Sequence, residues 1–194
     1  MNNIEDDSFE KEDFKGIDFS GLNLSQKEYS GCTFSDCRFV ETDLEKTNFE
    51  SCSFLNCDLS NPKVEATRFI DSEFENCKLL GIRFYKCNQL SFDATFKECI
   101  IRSCNFADLS IKNGKFLKCE IIECVYQNTF LVGADFSGST FRETLFHNTD
   151  LRKASFYNSS GYTIDPMTNK LEKAIFTIPE VLSLLSCFKI VIKE

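Results

Sequence analysis

The chain has 194 residues, 42% of them hydrophobic, with 30 acidic and 22 basic side chains, one His, no Trp, 21 Phe and 11 Cys. No stretch approaches the ~18 uninterrupted apolar residues of a membrane span, so membrane insertion is excluded. A net charge of −8 argues against direct nucleic-acid binding, and a single His excludes multi-histidine metal sites.

The N-terminus, MNNIEDDSFEKEDF, is acidic where a secretory signal is basic and then apolar, so a cytoplasmic protein with reduced cysteines is expected. From Phe9 onward the chain has a period of five. Phe9, Phe14, Phe19, Leu24, Tyr29, Phe34 and each fifth residue to Phe84 are apolar, sixteen positions without a miss. After a slip the period resumes from Phe96 to Phe156 with thirteen more. At this hydrophobic content chance would give such a run on the order of once in 10¹¹ trials, so the period is an architecture.

Two residues before the centre small residues dominate, as in Cys32, Cys37, Thr42, Thr47, Cys52 and Cys57, and later Cys99, Cys104, Thr129 and Ala134. Residues two apart in extended chain point the same way, so centre and small residue share an inward face. The other two residues of each pentad are polar and turn-prone and form a corner. A right-angled turn every five residues closes a square every twenty, and squares stacked at ~4.8 Å make a parallel β-helix with four flat walls. An all-β solenoid of about eight coils, roughly 38 Å long, is therefore predicted. Phe14, Phe34, Phe54 and Phe74 form one internal ladder, and Phe96, Phe116, Phe136 and Phe156 another.

Phe84 and Phe96 are twelve residues apart, which is not a multiple of five. Cys87 still fits the first register, with Gln89 at its centre, so a short loop or bulge is expected within a phase break at about 85–95. Phe176 lies twenty residues after Phe156 and completes the last coil. The solenoid thus spans 1–176. Residues 177–194 form a short C-terminal α-helix and an apolar tail, opened by a capping-box pattern at Thr177 to Glu180 with Pro179 in its first turn. This element is expected to cover the open end of the tube and, through Leu182, Leu185 and Phe188, to form a homodimer.

The pattern of Phe or Leu centres preceded at two residues by Ala, Cys, Ser or Thr resembles the pentapeptide repeat proteins over roughly residues 9 to 176. ValGlyAlaAspPheSerGlySerThrPhe (132–141) and GlyCysThrPheSerAspCysArgPhe (31–39) carry the likeness. The resemblance implies a right-handed quadrilateral β-helix. Gly81-Ile-Arg-Phe-Tyr-Lys-Cys before the slip, the two runs and the terminal helix look like the quinolone-resistance (Qnr-type) members. Those members imply a partner, DNA gyrase or topoisomerase IV, bound by an acidic rod that mimics DNA and so protects the enzyme from quinolones or related poisons.

Chemistry beyond binding has no visible site. Ten cysteines occupy the inward small slot, where buried Cys acts as a small hydrophobe, and His147 points outward without a nucleophile beside it. No catalytic residue, cofactor or metal is assigned, and the chain is expected not to be an enzyme. Function then rests on the surface. Residues 1–50 hold 13 acids and 5 bases, whereas 51–194 hold 17 of each. On the wall of Phe14 the acidic residues Asp13, Asp36, Glu73 and Glu75 face only Lys15. A different function follows from an apolar surface patch of Val125 and Leu145 on one wall and Phe130 and Val132 on the next, which would serve a protein-interaction module without DNA mimicry. A purely structural β-helix is the third possibility.

Overall fold

The computed structural model describes residues 6–188, 190, 191 and 193. The chain folds as a right-handed quadrilateral parallel β-helix of about eight coils. Each pentad contributes one side of the square, commonly a three-residue strand whose central residue is buried and whose flanks face outward, as in Asp13–Lys15 and Glu28–Ser30. The four walls are named here after their first centres, Phe9, Phe14, Phe19 and Leu24.

Corners form because the second residue after most centres takes the left-handed conformation. Twenty-three non-glycine residues do so, among them Lys11, Asp36, Asn56 and Asn128. Left-handed backbone costs an L-residue roughly 1 kcal/mol. Inter-coil hydrogen bonds at the same residues offset that cost, as where Lys11 N–H donates to Ser30 C=O at 2.8 Å and Asp36 N–H to Leu55 C=O at 2.9 Å. Gly161 is the corner where glycine is required, because a Cβ there would collide with the Phe141 carbonyl.

Stacking follows the twenty-residue register, with Phe14, Phe34, Phe54 and Phe74 paired in sequence. The expected separation into two ladders is corrected by the structure. Phe74 pairs with Phe96, and their rings stack at 5.3 Å and 15°. One column of nine phenylalanines therefore runs from Phe14 to Phe176, with ring spacings of 4.6 to 5.3 Å. The coil holding the phase break is 22 residues long instead of twenty, and the surplus is expelled outward.

The expulsion is local. Phe84–Lys86 and Gln89–Ser91 form single 3₁₀ turns, and strand Phe92–Lys97 resumes with a register shift between Phe92 and Ala94. Gln89 is not a centre, contrary to the register expectation. It is exposed beside Leu90, which is 98% exposed at the tip, while Cys87 stays buried as expected. Phe92 fills the vacated place, meeting Phe69 at 6.3 Å and Phe84 at 5.5 Å edge to face.

This residue marks a change of lining. Before it the Phe9 wall is aromatic (Phe9, Tyr29, Phe49, Phe69) and the Leu24 wall aliphatic (Leu24, Leu44, Val64). From Phe84 onward the Leu24 wall is aromatic (Phe84, Phe106, Tyr126, Phe146), and after Phe92 the Phe9 wall is aliphatic (Ile111, Leu131, Leu151). A narrow tube cannot hold bulky rings on every wall at once, so every complete coil has at least one aliphatic centre, such as Leu24, Leu44, Leu79 or Leu131.

The small inward slot has a second role that its size alone does not reveal. Its side chains donate to the carbonyl 23 residues earlier, as Thr42 Oγ1 does to Phe19 at 2.9 Å, Thr47 to Leu24 at 2.8 Å, and Cys57 Sγ to Phe34 at 3.3 Å. Cys, Ser and Thr are thus compact donors within an apolar tube, where an unmet carbonyl is costly.

The terminal helix is corrected in type. Glu180–Phe188 is wound as a 3₁₀-helix, not as an α-helix. The capping box is also not closed, because the Glu180 carboxylate instead accepts from the Gly161 N–H at 3.4 Å, and Pro179 precedes the helix. Leu184 packs against the core at the end of the tube.

Candidate interaction surfaces

The cysteines of the repeats line the inside of the tube. Cys37, Cys57, Cys77, Cys99 and Cys119 form one continuous column across the phase break, where the sequence pairs only Cys37 with Cys57 and Cys77, and Cys99 with Cys119. Each thiol donates to backbone carbonyls, for example Cys77 to Phe54 at 3.3 Å and Cys99 to Phe74 at 3.3 Å. Burial pushes the Cys52 thiol up to about 12 and raises Cys87 also, so neither supplies a thiolate near neutral pH. Among the described residues no group of three or more His, Cys, Asp or Glu side chains is placed to hold a metal ion. Among them, too, no helix is long and apolar enough to cross a membrane. His147 is exposed on the Leu24 wall.

On the Phe14 wall the four acids sit in ladder positions set by the coil register. Asp13 lies opposite Thr33, and Glu73 lies between Ser53 and Thr95. Asp36 is a left-handed corner residue whose carboxylate accepts from the Asn56 amide at 3.2 Å. Lys15 is not their only cation. The two-residue surplus in the break brings Lys97 into register with Glu75, and they pair at 2.6 Å. Glu75 foremost, with Glu98 and Glu73, holds the Lys97 ammonium above its ordinary value. Counting in fives through the break would not find this pair; counting from Phe96 backward by 22 would.

The apolar residues divide as their register dictates. Val125 pairs with Leu145 on the Leu24 wall, and Phe130 bridges Ser110 and Asp150 on the Phe9 wall. Leu145 and Phe130 are 48% and 49% exposed, while Val125 and Val132 are half-buried. At the C-terminal end Leu182 and Phe188 are about half exposed and Leu185 is half-buried. Ile178, Ile190 and Val191 are also exposed at this end.

Two family models of pentapeptide repeats match, one described as a pentapeptide repeat region over residues 47–123 and one as pentapeptide repeats in eight copies over 127–160. A model of the SV2A/B/C luminal domain matches residues 2–79. No curated protein matches the chain. Among solved structures, a trypsin-treated variant of QnrB1, a plasmid-mediated fluoroquinolone resistance protein, is 21% identical with a TM-score of 0.63, covering 96% of this chain and 90% of that one. A second trypsin-treated variant is 22% identical with a TM-score of 0.55 over the same shares. Full-length QnrB1 is 23% identical with a TM-score of 0.50, over 94% and 90%. The small-residue slot, the aromatic column and the left-handed corners are the physical content of those repeat models, and the chain is a pentapeptide repeat protein with the fold of QnrB1.

Proposed function

We propose that the chain is a non-enzymatic binding protein that docks on a type II topoisomerase, DNA gyrase or topoisomerase IV, and counters fluoroquinolones acting there. The observation that carries this reading is the correspondence of the whole rod, end to end, with a fluoroquinolone resistance protein. The charge distribution supports it: the entire net charge of −8 lies within residues 1–50, so one end of a narrow rod is suited to a basic DNA-binding groove. Asp13, Asp36 and Glu73 are the carboxylates proposed to face that groove, with Glu75 shared between it and Lys97. Two rods joined at their apolar C-terminal ends through Leu182, Leu185 and Phe188 would span about 80 Å, the length of some two dozen base pairs.

The test is gyrase supercoiling inhibited by a fluoroquinolone and titrated with purified protein. Activity is expected to return; no recovery at any concentration below that at which the protein itself inhibits would overturn the reading. A second reading, a protein-interaction module without DNA mimicry, is favoured by half-exposed Phe130 and Leu145 in the charge-balanced part of the rod.

A further inference from the structure

We infer that a hollow between two coils of the Leu24 wall, just before the phase break, is a binding site for inorganic phosphate. The inference goes beyond the topoisomerase reading and does not depend on it.

The site begins with a gap in the hydrogen-bond ladder. Lower on this wall two rungs tie neighbouring coils through Lys63: its N–H donates to Thr42 C=O, and Leu44 N–H donates to Lys63 C=O, both at 2.9 Å. The same register one coil further on calls for Arg83 N–H to Pro62 C=O and for Val64 N–H to Arg83 C=O. Among the described residues neither bond is made. The break is the cause, because the Arg83 carbonyl instead accepts from Lys86 N–H at 2.9 Å and so closes the first 3₁₀ turn. Rungs are present on both sides of the gap, from Asn61 N–H to Leu80 C=O at 2.7 Å and from Ala66 N–H to Lys86 C=O at 2.8 Å. Two backbone donors, Val64 below and Arg83 above, are therefore left at the gap together with one acceptor, Pro62 C=O, and such groups need partners.

The gap opens as a hollow of about 240 Å³, with Pro62, Val64 and Arg83 in its lining. That is less than a drug-sized ligand fills and suits a small ion. Charge gives the sign of the ion. Lys63, Arg83 and Lys86 line the hollow against one acid, Glu65. Lys86 is paired with Glu65, and Lys63 reaches down to Asp43 at 3.2 Å. Lys86 foremost, with the backbone N–H of Glu65 itself and Arg83, holds the Glu65 carboxyl below its ordinary value, so this pair stays ionised. Arg83 stands one coil above Lys63 in the same outward column, and among the described residues it has no ion-pair partner. An anion between the two coils would relieve the repulsion of these stacked bases.

The leftover carbonyl narrows the choice of anion. Backbone N–H groups and a guanidinium fork match a tetrahedral oxyanion. Pro62 C=O would repel an oxyanion that carries acceptors alone. Inorganic phosphate keeps a hydroxyl at neutral pH and can donate it to that carbonyl. Sulfate has no such proton, and a phosphate monoester is mostly the bare dianion above about pH 6.

The test is amide NMR of the nitrogen-labelled full chain at about pH 7.5, titrated with sodium phosphate while chloride holds the ionic strength constant. Saturable shifts are expected, largest at the Val64 and Arg83 amides. Sulfate and phenyl phosphate should bind at least about tenfold more weakly, because neither satisfies the carbonyl. Arg83→Gln should weaken phosphate binding at least about tenfold. Glu65→Gln frees Lys86 and should tighten it. Replacing Lys153 and Lys173, bases remote from the hollow, by Gln should leave it unchanged. All these side chains are exposed or half-buried, so thermal melts should show every variant folded. The inference is overturned by absence of saturable shifts up to about 10 mM phosphate, by shifts centred away from Val64 and Arg83, by equal affinity for sulfate or phenyl phosphate, or by affinity that Arg83→Gln leaves intact.

Discussion

The Phe74 ring lies on the Phe96 ring at 5.3 Å, with 22 residues of chain between them where every other neighbouring pair in the column is separated by twenty. The aromatic column thus passes through the phase break uninterrupted, and the surplus residues leave through the 3₁₀ turns beneath Leu90.

Because the column couples the two runs, denaturant unfolding should be a single transition. Phe96→Ala removes a fully buried ring from the middle of the column and should cost about 3–5 kcal/mol by chemical denaturation. Two resolved transitions in the unaltered protein would show that the break separates two independently stable halves.

Tyr126 occupies a ring position in the Leu24 wall, stacked between Phe106 and Phe146, and its buried hydroxyl has no hydrogen-bond partner. Burial foremost, with the neighbouring Cys124, Cys104 and Cys119 thiols, raises its pKa well above the ordinary phenol. Tyr126→Phe keeps the ring and removes the unmet group, so stability should rise by about 1 kcal/mol. A loss of stability in the same denaturation experiment would mean that the hydroxyl has a partner.

Ten of the eleven thiols are buried and Cys187 is half-buried. A thiol reagent at mildly alkaline pH should therefore modify at most one cysteine per native chain, and all eleven in denaturant. The same burial sets a pH dependence. Cys52 rises from an ordinary 9.0 to about 12, so between these values the unfolded chain loses a proton that the folded chain keeps. Stability is then full below about pH 9 and falls as pH rises toward 12. Thermal melts across that window check the sign.

Lys97 and Glu75 are both partly exposed, so Lys97→Gln should leave the denaturation midpoint almost unchanged. It should also leave Glu73 and Glu75 unneutralised and lower the protein concentration needed for half-maximal recovery of gyrase supercoiling. An unchanged or higher requirement would remove this part of the Phe14 wall from the proposed contact.

The sequence by itself determined the tube. A five-residue period with two restricted slots has one compact solution, since local chain direction sets which residues point inward and identical squares stack in register. The buried fate of Phe14, Cys37 or Leu131 follows from position alone. What counting could not supply was everything that depends on how two coils meet when the count fails. The joining of the two phenylalanine ladders, Phe92 in place of Gln89, and Lys97 against Glu75 all follow from packing a 22-residue coil between coils of twenty, a choice made by ring contacts across the tube. The end of the chain is similar. Its apolar pattern foretold a helix, but whether Glu180 closed its own first turn or reached Gly161 depended on the coil on which it landed. The surface divides the same way: sequence counts the charges, and only the stacked register decides which of them, like Lys97 and Glu75, come to face one another.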